Sequence, residues 1–260
     1  MQLKNIFADN LQTILMPNIK PNELNSNISV DCVVFGFDLS FNELKVLLIE
    51  RKAPEDFVGN FPLFALPGDL IKNDENLDEA ATRVLKELTN LDNVYLKQFK
   101  AYGNPDRVSN TKDSDWLRNF RSDPEARVVT IAYFSLVEFN KFHPKAAHFA
   151  KNVVWMPISE IPELAFDHNE ILEGALKSLQ EKARYYPVGI DLLPEKFTLS
   201  QFQKLYEVIS NQNLDKRNFR RKILKMNFLV PINEKQSNVS HKPANLFVFN
   251  KEINVESAIY

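Results

Sequence analysis

Residues 68–91, GDLIKNDENLDEAATRVLKELTNL, carry the side chains with the clearest potential for chemistry in this chain. Apolar residues recur in this segment at intervals of three and four, which predicts an amphipathic helix. On such a helix positions 84, 87 and 88 lie about one turn apart, so three carboxylates there could hold one Mg²⁺ ion. Only Glu87 is acidic, because Val84 and Leu88 are apolar. The spacing suits a divalent cation, but most of the ligands are missing.

The same segment resembles the Nudix box, whose core pattern is Arg-Glu-aliphatic-any-Glu-Glu-any-Gly-aliphatic after an earlier Gly and Glu. Glu75, Arg83 and Glu87 match the pattern, as do its two aliphatic places. The positions that depart from it are Asp69, Val84, Leu88 and Asn90. The resemblance implies the mixed α/β sandwich of Nudix proteins, with a pocket kept for binding after catalysis was lost.

No catalytic residue is therefore expected, and a small-molecule site is expected in its place. The candidate ligand contacts are Glu75, Arg83, Glu87, Asp106, Arg107 and Arg127. A purely structural set of ion pairs is the alternative for Glu75, Arg83 and Glu87, because Arg83 and Glu87 are spaced i, i+4. Asp69 could partly replace a lost carboxylate. No cofactor is expected, and Mg²⁺ enters only if the chain is a hydrolase.

A second candidate site lies in residues 215–225, which contain six Lys or Arg. Phe219 and Ile223 are predicted to face a core, so most of the cations must face solvent or phosphate. Arginine can read guanine edges, whereas an amide such as that of Asn218 can read adenine. A solvated charged face is the alternative. The candidate DNA contacts are Lys216, Arg217, Asn218, Arg220, Arg221, Lys225 and Lys242.

The distribution of charge supports this second site. Residues 191–251 contain 11 Lys or Arg against 5 Asp or Glu, a net charge of +6 within a chain whose net charge is −2. The remainder of the chain is therefore acidic. A compact basic part joined to an acidic one favours nucleic acid as the partner of the basic part.

The elements that would position the first site are strands and two helices. Strands are predicted at residues 30–37, 44–50, 61–66, 94–102, 127–137 and 153–156. A helix is predicted from Leu77, because Asn76 and Glu79 form a capping-box pattern. Another is predicted at 169–185, capped by Asp167 and His168. Residues 108–126 are predicted to form a loop insertion that carries Trp116.

Beyond a linker at 186–189, the pattern predicts a winged helix-turn-helix: a helix capped by Thr198, the basic helix, and strands at 228–232 and 246–249. The runs FTLSQFQKLYEVI and LDKRNFRRKIL resemble the DNA-binding domain of Nudix-related transcriptional regulators. That family includes regulators of NAD biosynthesis and pentose-responsive regulators of sugar use. The resemblance implies a regulator that binds a ligand in its Nudix domain and controls DNA binding as a dimer.

Composition limits the other classes of protein. The chain has 260 residues, of which 44% are apolar and 25% charged, as in ordinary globular proteins. Neither a signal pattern nor a membrane-spanning stretch is found, so we expect a soluble cytoplasmic protein without a membrane partner. Cys32 is the only cysteine, which excludes an internal disulfide framework, and it is expected to be buried. The four histidines show no metal-ligand spacing.

The fold expected is α+β, a Nudix α/β/α sandwich followed by a winged helix. Its parts are an N-terminal arm (1–27), a ligand-sensing domain (28–186), a DNA-binding domain (187–251) and a tail (252–260). We expect a homodimer that binds operator DNA and a small effector. The resemblance implies a pentose such as L-arabinose first and an ADP-ribose-like nucleotide second. The alternative is a Mg²⁺-dependent hydrolase of a nucleoside diphosphate derivative.

Overall fold

The computed structural model describes residues 23–53, 61–109, 111–183, 188–189, 192–237, 239–240 and 242–250. The expected N-terminal arm up to residue 22, the first half of the expected linker and the C-terminal tail therefore lie outside the described residues. Over the residues that are described, no helix is both long and apolar enough to cross a membrane.

A seven-stranded mixed sheet forms the first domain. Its strands are β1 (Leu24–Asp38), β2 (Glu43–Arg51), β3 (Phe64–Ala65), β4 (Gly68–Lys72), β5 (Lys97–Tyr102), β6 (Val129–Val137) and β7 (Ala150–Pro157). The main order is β3-β2-β1-β6-β5, with β4 paired to β1 and β7 paired to β2. β1 runs parallel to β6, and the other pairs are antiparallel. The long β1 thus lies at the centre of the domain.

Helices cover both faces of this sheet because successive side chains of β1 point to opposite sides. The helices are α1 (Leu77–Thr89), α2 (Thr111–Phe120) and α3 (His168–Ala183). Cys32 and Val34 pack in the cluster that contains the apolar face of α1, whereas Val33 and Phe35 pack in the cluster that contains α3. Cys32 is buried, as predicted. The result is the expected α/β/α sandwich.

The start and end of α1 follow from its sequence. Asn76 accepts hydrogen bonds from the amides of Asp78 and Glu79, and the Glu79 carboxylate accepts one from the Asn76 amide, so the predicted capping box is confirmed. The helix ends at Asn90, whose φ of 57° is left-handed. Asparagine tolerates this conformation better than most residues, which explains how it can replace the glycine of the Nudix pattern.

The prediction of a loop insertion at 108–126 is wrong, because this segment contains α2. Asp113, Trp116 and Leu117 lie on the buried side of the helix, and Trp116 Nε1 donates to the Lys52 carbonyl at 3.0 Å. Trp116, Leu117 and Phe120 lie at helical spacing on this side, although the flanking residues are mostly polar or charged. Both the packing of Trp116 and Leu117 and the polar contacts of Asp113 and Trp116 hold the helix in place.

The second domain consists of β8 (Phe197–Thr198), α4 (Leu199–Ser210), α5 (Lys216–Lys225), β9 (Leu229–Lys235) and β10 (Asn245–Phe249). Its three strands have the order β8-β10-β9, and the short β8 was not predicted from the sequence. Thr198 and Gln201 form a capping box at the start of α4. The predicted fold class, an α+β sandwich followed by a winged helix-turn-helix, is confirmed.

The two domains share a hydrophobic core. One cluster of buried residues contains Leu48 of the sheet, Leu179 of α3, and Phe202 and Leu205 of α4. Because packed side chains transmit displacement, a shift of α3 would be felt by the winged helix. α3 and β2 therefore connect the two domains through this core.

Candidate effector cleft and DNA-facing helix

The charged residues of the Nudix-like segment bind one another. Arg83 Nε donates to Glu75 Oε2 at 2.7 Å, Nη1 donates to Glu87 Oε2 at 2.9 Å, and Nη2 donates to the Leu70 carbonyl at 3.1 Å. The hydrogen bond with Glu75 raises the pKa of Arg83. Burial raises the pKa of Glu75, but the hydrogen bonds from Arg83 and from the Lys72 amide, together with the charges of Arg83 and Lys72, outweigh it and the net shift is downward. The geometry supports the structural ion-pair interpretation of all three residues.

The side chains at this site do not fit a Mg²⁺ ion. Val84 and Leu88 have exposures of 0% and 2% and pack in the core between α1 and the sheet. Burial raises the pKa of Asp69, so its charged form is disfavoured relative to an exposed carboxylate. Within the described part of the chain, no group of three or more His, Cys, Asp or Glu could hold a metal ion.

A cleft with a volume of about 100 Å³ lies beside β1, between the loop that precedes α2 and the start of α3. Acidic and basic groups line its interior, and aromatic rings from α2 and the flanking loops form one wall. The polar lining residues are Asp31, Arg51, Asp69, Arg107, Arg121 and His168, and the aromatic ones are Trp116, Phe120, Phe149 and Phe166. Trp116 and Phe120 are stacked with ring centroids 4.4 Å apart.

A buried ion-pair network forms the floor of the cleft. Arg107 donates to both carboxylate oxygens of Asp167, at 2.7 and 2.9 Å, and approaches Asp31 Oδ2 at 3.4 Å. The other oxygen of Asp31 lies 3.4 Å from His168 Nε2, while His168 Nδ1 accepts from the Leu66 amide at 2.9 Å. Burial raises the pKa of Asp31, but His168 and Arg107 together hold it well below its ordinary value.

This network corrects the interpretation of Asp167 and His168 as helix caps. Both oxygens of Asp167 are bonded to Arg107, and both ring nitrogens of His168 face Leu66 and Asp31. Their bonds therefore fix the N-terminal end of α3 to the floor of the cleft.

A second buried ion pair holds α2 against the sheet. Arg51 Nη2 donates to Asp113 Oδ1 at 2.7 Å, and the two side chains have exposures of 1% and 0%. The Arg51 guanidinium also lies 4.9 to 5.4 Å from the ring centroids of Phe61, Trp116 and Phe166. Such cation–π contacts stabilise a buried guanidinium. α2 and its aromatic wall are thereby positioned by Arg51.

Two guanidinium nitrogens of the cleft are buried without a hydrogen-bond partner among the described residues, Arg51 Nη1 and Arg121 Nη1. Burial lowers the pKa of Arg121, although Asp69 and Asp31 act in the opposite direction. A buried donor without a partner is costly, and an anionic oxygen is its strongest acceptor. Donors beside an aromatic wall suit a ligand that joins an anionic group to a flat ring.

The residues expected from the sequence to bind ligand are dispersed. Arg107 lines the cleft, whereas Glu75, Arg83 and Glu87 form their own ion pairs outside its lining. Asp106 is exposed, and Arg127 is exposed with Nη2 bonded to the Gly103 carbonyl at 3.2 Å.

Sequence reasoning missed several residues of the cleft. Asp31 stands in the apolar run VDCVVFGF of β1, and Arg51 ends the apolar run of β2. A charged residue inside or at the end of a buried strand requires a partner, and this signal pointed to both positions. Asp113 and Arg121 carry no comparable signal in their polar surroundings.

The candidate DNA contacts lie on one helix and one loop. All but Arg220 are exposed, namely Lys216, Arg217, Asn218, Arg221, Lys225 and Lys242. Arg220 is half-buried, and its Nη2 lies 3.5 Å from Ser200 Oγ at the start of α4. Arg221 Nη2 donates to Asn218 Oδ1 at 3.0 Å, so these two side chains are held together.

Comparison with known proteins matches both domains. A NUDIX domain model matches residues 26–175, and a model described as the NrtR DNA-binding winged helix domain matches residues 189–249. The ADPR responsive transcriptional repressor NtrR of Acinetobacter baylyi is 31% identical over 229 residues, which cover 85% of this chain and 81% of that protein. An ADP-ribose pyrophosphatase of Methanocaldococcus jannaschii is 31% identical over 133 residues, which cover 51% of this chain and 66% of that protein.

The structural comparison covers both domains as well. The crystal structure of Shewanella oneidensis NrtR complexed with a 27mer DNA has a TM-score of 0.65 at 29% identity, and the match covers 86% of this chain and 93% of that one. The order of the two domains in this chain is thus shared with a solved regulator. The chain belongs to the Nudix-related transcriptional regulators, in which a Nudix domain is followed by an NrtR-type winged helix.

Proposed function

We propose that the chain is a DNA-binding transcriptional repressor whose affinity for its operator is set by ADP-ribose, with the diphosphate of the ligand inside the cleft. Residues 28–186 would form the sensor, and residues 187–251 would bind DNA. The name of the Acinetobacter relative supports both parts of this proposal, since it is an ADPR responsive transcriptional repressor. The Shewanella structure, which holds a 27mer DNA, supports the role of the winged helix.

The chemistry of the cleft supports a nucleotide over a pentose. The unpaired donors of Arg51 and Arg121 gain most from a diphosphate, because a charge-assisted hydrogen bond is about twice as strong as a neutral one. Phe120, which is 39% exposed and stacked on the buried Trp116, offers a platform for a base. A neutral sugar lacks both groups. L-Arabinose, the first expectation from the sequence, receives no support from the relatives, whereas the second, an ADP-ribose-like nucleotide, does.

One observation carries the conclusion that the ligand is sensed rather than cleaved. Glu75 and Glu87, the acids kept from the Nudix pattern, are both bonded to Arg83, while Val84 and Leu88 are buried. A Mg²⁺ ion would have to break these ion pairs and would gain few oxygen ligands. A diphosphate bound in the cleft would therefore not be hydrolysed.

Coupling between the sites would pass through α3. His168 at its first turn faces the cleft, and Leu179 in its last turns packs in the core shared with α4. The winged helix would bind DNA in one position of α3 and not in another. A ligand that contacts the floor of the cleft would shift the equilibrium between these two positions, because it would bind one of them more tightly. We also propose a homodimer, because two-fold symmetry would place two α5 helices in successive major grooves.

The test is a fluorescence anisotropy titration of the full chain against a labelled duplex selected by the protein from a random pool. ADP-ribose is expected to change the dissociation constant for DNA by roughly tenfold, within the range of typical allosteric coupling. L-Arabinose at the same concentration is the matched control and should leave it unchanged. An effect of L-arabinose without one of ADP-ribose would overturn the choice of effector, and no DNA binding would overturn the proposed function.

The hydrolase alternative has one observation in its favour. The pyrophosphatase of Methanocaldococcus jannaschii is 31% identical over 133 residues of this chain. That match covers 51% of the chain, about half of its length, whereas the match to the Acinetobacter repressor covers 85%. Turnover of ADP-ribose with Mg²⁺ that Glu87→Gln abolishes would favour the hydrolase.

A further inference from the structure

The buried side of α5 fixes the direction of its other faces. Phe219 and Ile223 have exposures of 7% and 3% and pack in the domain core. Each residue of an α-helix turns by about 100°, so positions 217, 221 and 224 point away from that core. Arg217 and Arg221 are exposed there, as expected for a face that meets DNA.

Leu224 is out of place on this basic face. Its side chain is 45% exposed, and among the described residues it belongs to none of the packed hydrophobic clusters. It follows Arg221 by three residues and precedes Lys225, so cations stand on both sides of it. A single exposed leucine is ordinary on a protein surface, and only its position between these cations carries an argument.

We propose that Leu224 is a sequence-specificity residue that contacts the 5-methyl group of a thymine in the major groove. The proposal rests on the proposed DNA-binding function. The charges of this face favour DNA over a protein as its partner, because the exposed arginines and lysines around Leu224 attract phosphates and repel a basic protein surface. The thymine methyl is the apolar group that a base pair presents in the major groove, and apolar side chains read it there.

The chemistry of this contact differs from that of its neighbours. Arg217 and Arg221 would contact phosphates or guanine edges. A change of salt would disturb the phosphate contacts, and a change in the hydrogen-bonding groups of the base would disturb the guanine contacts. Removing the methyl group from thymine leaves every hydrogen-bonding group of the base pair in place. Replacement of thymine by uracil therefore isolates the contribution of Leu224 from that of the cations.

The experiment compares two duplexes with the full chain. The first is the strongest duplex selected from a random pool, and the second has the same sequence with deoxyuridine at each thymidine. The natural protein is expected to bind the second about fourfold more weakly for each methyl contacted, as for one buried methylene. Leu224→Ala is expected to bind the thymine duplex more weakly and to bind both duplexes equally. Lys225→Ala, which removes an exposed candidate phosphate contact next to Leu224, should weaken binding to both duplexes by the same factor.

Two further variants keep the outcome interpretable. Leu224→Met retains an apolar side chain and should retain the preference for thymine, whereas Leu224→Gln should lose it at nearly constant size. Equal binding of the natural protein to both duplexes would overturn the proposal, as would a preference for thymine that survives in Leu224→Ala and Leu224→Gln. Failure of the natural protein to bind any duplex would instead overturn the proposed function.

Discussion

Removal of the charge of Asp113 should destabilise the Nudix domain severely. The carboxylate and Arg51 have exposures of 0% and 1% and lie 2.7 Å apart, so Asp113→Asn leaves a guanidinium buried without its counter-charge. Breaking a buried ion pair in this way costs about 3–5 kcal/mol of unfolding free energy. Asp113 Oδ2 also accepts from the Phe166 amide at 2.9 Å. A charged hydrogen bond of this kind contributes about 1.5–3 kcal/mol, so the loss should fall near the upper end of the range.

Urea unfolding followed by tryptophan fluorescence measures this loss. Both tryptophans of the chain, Trp116 and Trp155, lie in the Nudix domain, so the signal reports on the domain that contains the pair. Asp115→Asn is the matched control, since Asp115 lies on the same helix, is exposed and pairs with Arg118. An exposed pair contributes little, so this control should stay within about 1 kcal/mol of the natural protein.

The double variant Arg51→Met with Asp113→Leu separates charge from packing. Apolar replacement of a buried ion pair is often neutral or stabilising, because neither partner then remains as an unpaired charge. The double variant should therefore be more stable than Asp113→Asn. If Asp113→Asn unfolds at the same urea concentration as Asp115→Asn, the ion pair does not hold α2 and the reasoning fails.

Three further predictions concern the ligand and the DNA. Arg121→Ala should weaken ADP-ribose binding by roughly tenfold, the value of one charged hydrogen bond, as measured by calorimetric titration. Arg118→Ala is the control and should bind ADP-ribose as tightly as the natural protein. Burial raises the pKa of Asp69, so its protonated form is favoured near a diphosphate. ADP-ribose should therefore bind more tightly as pH falls from neutral toward that raised pKa, and Asp69→Asn should remove this dependence; the opposite trend would contradict the assignment. Arg217→Ala combined with Arg221→Ala should reduce the slope of log binding constant against log salt by about two, and an unchanged slope would exclude phosphate contacts by this face.

Features determined by neighbours in the sequence were predictable. The capping box of Asn76 and Glu79 and the pair of Arg83 and Glu87 depend on spacings of three and four residues, and both are present. The basic helix was predictable for the same reason, because Phe219 and its apolar partner one turn later mark the buried side. Helical geometry alone relates such residues, so the sequence contains the necessary information.

The cleft could not be predicted in the same way, because its ion pairs join distant residues. Arg51 and Asp113 are 62 positions apart, and Arg107 and Asp167 are 60 positions apart. No local pattern relates such pairs. α2 was missed although Trp116, Leu117 and Phe120 lie at helical spacing, because the charged residues around them suggested a loop. Of the arginines predicted to contact ligand, Arg107 lines the cleft, whereas Arg83 and Arg127 lie outside its lining.

The measurement that tests the central claim most directly is a ³¹P NMR experiment on ADP-ribose mixed with an equal amount of the full chain and Mg²⁺. Binding without cleavage predicts that the two diphosphate resonances shift or broaden and then persist, with no phosphomonoester signal. A phosphomonoester signal from AMP and ribose 5-phosphate that grows with time, and that Glu87→Gln abolishes, would show that this Nudix domain hydrolyses its ligand.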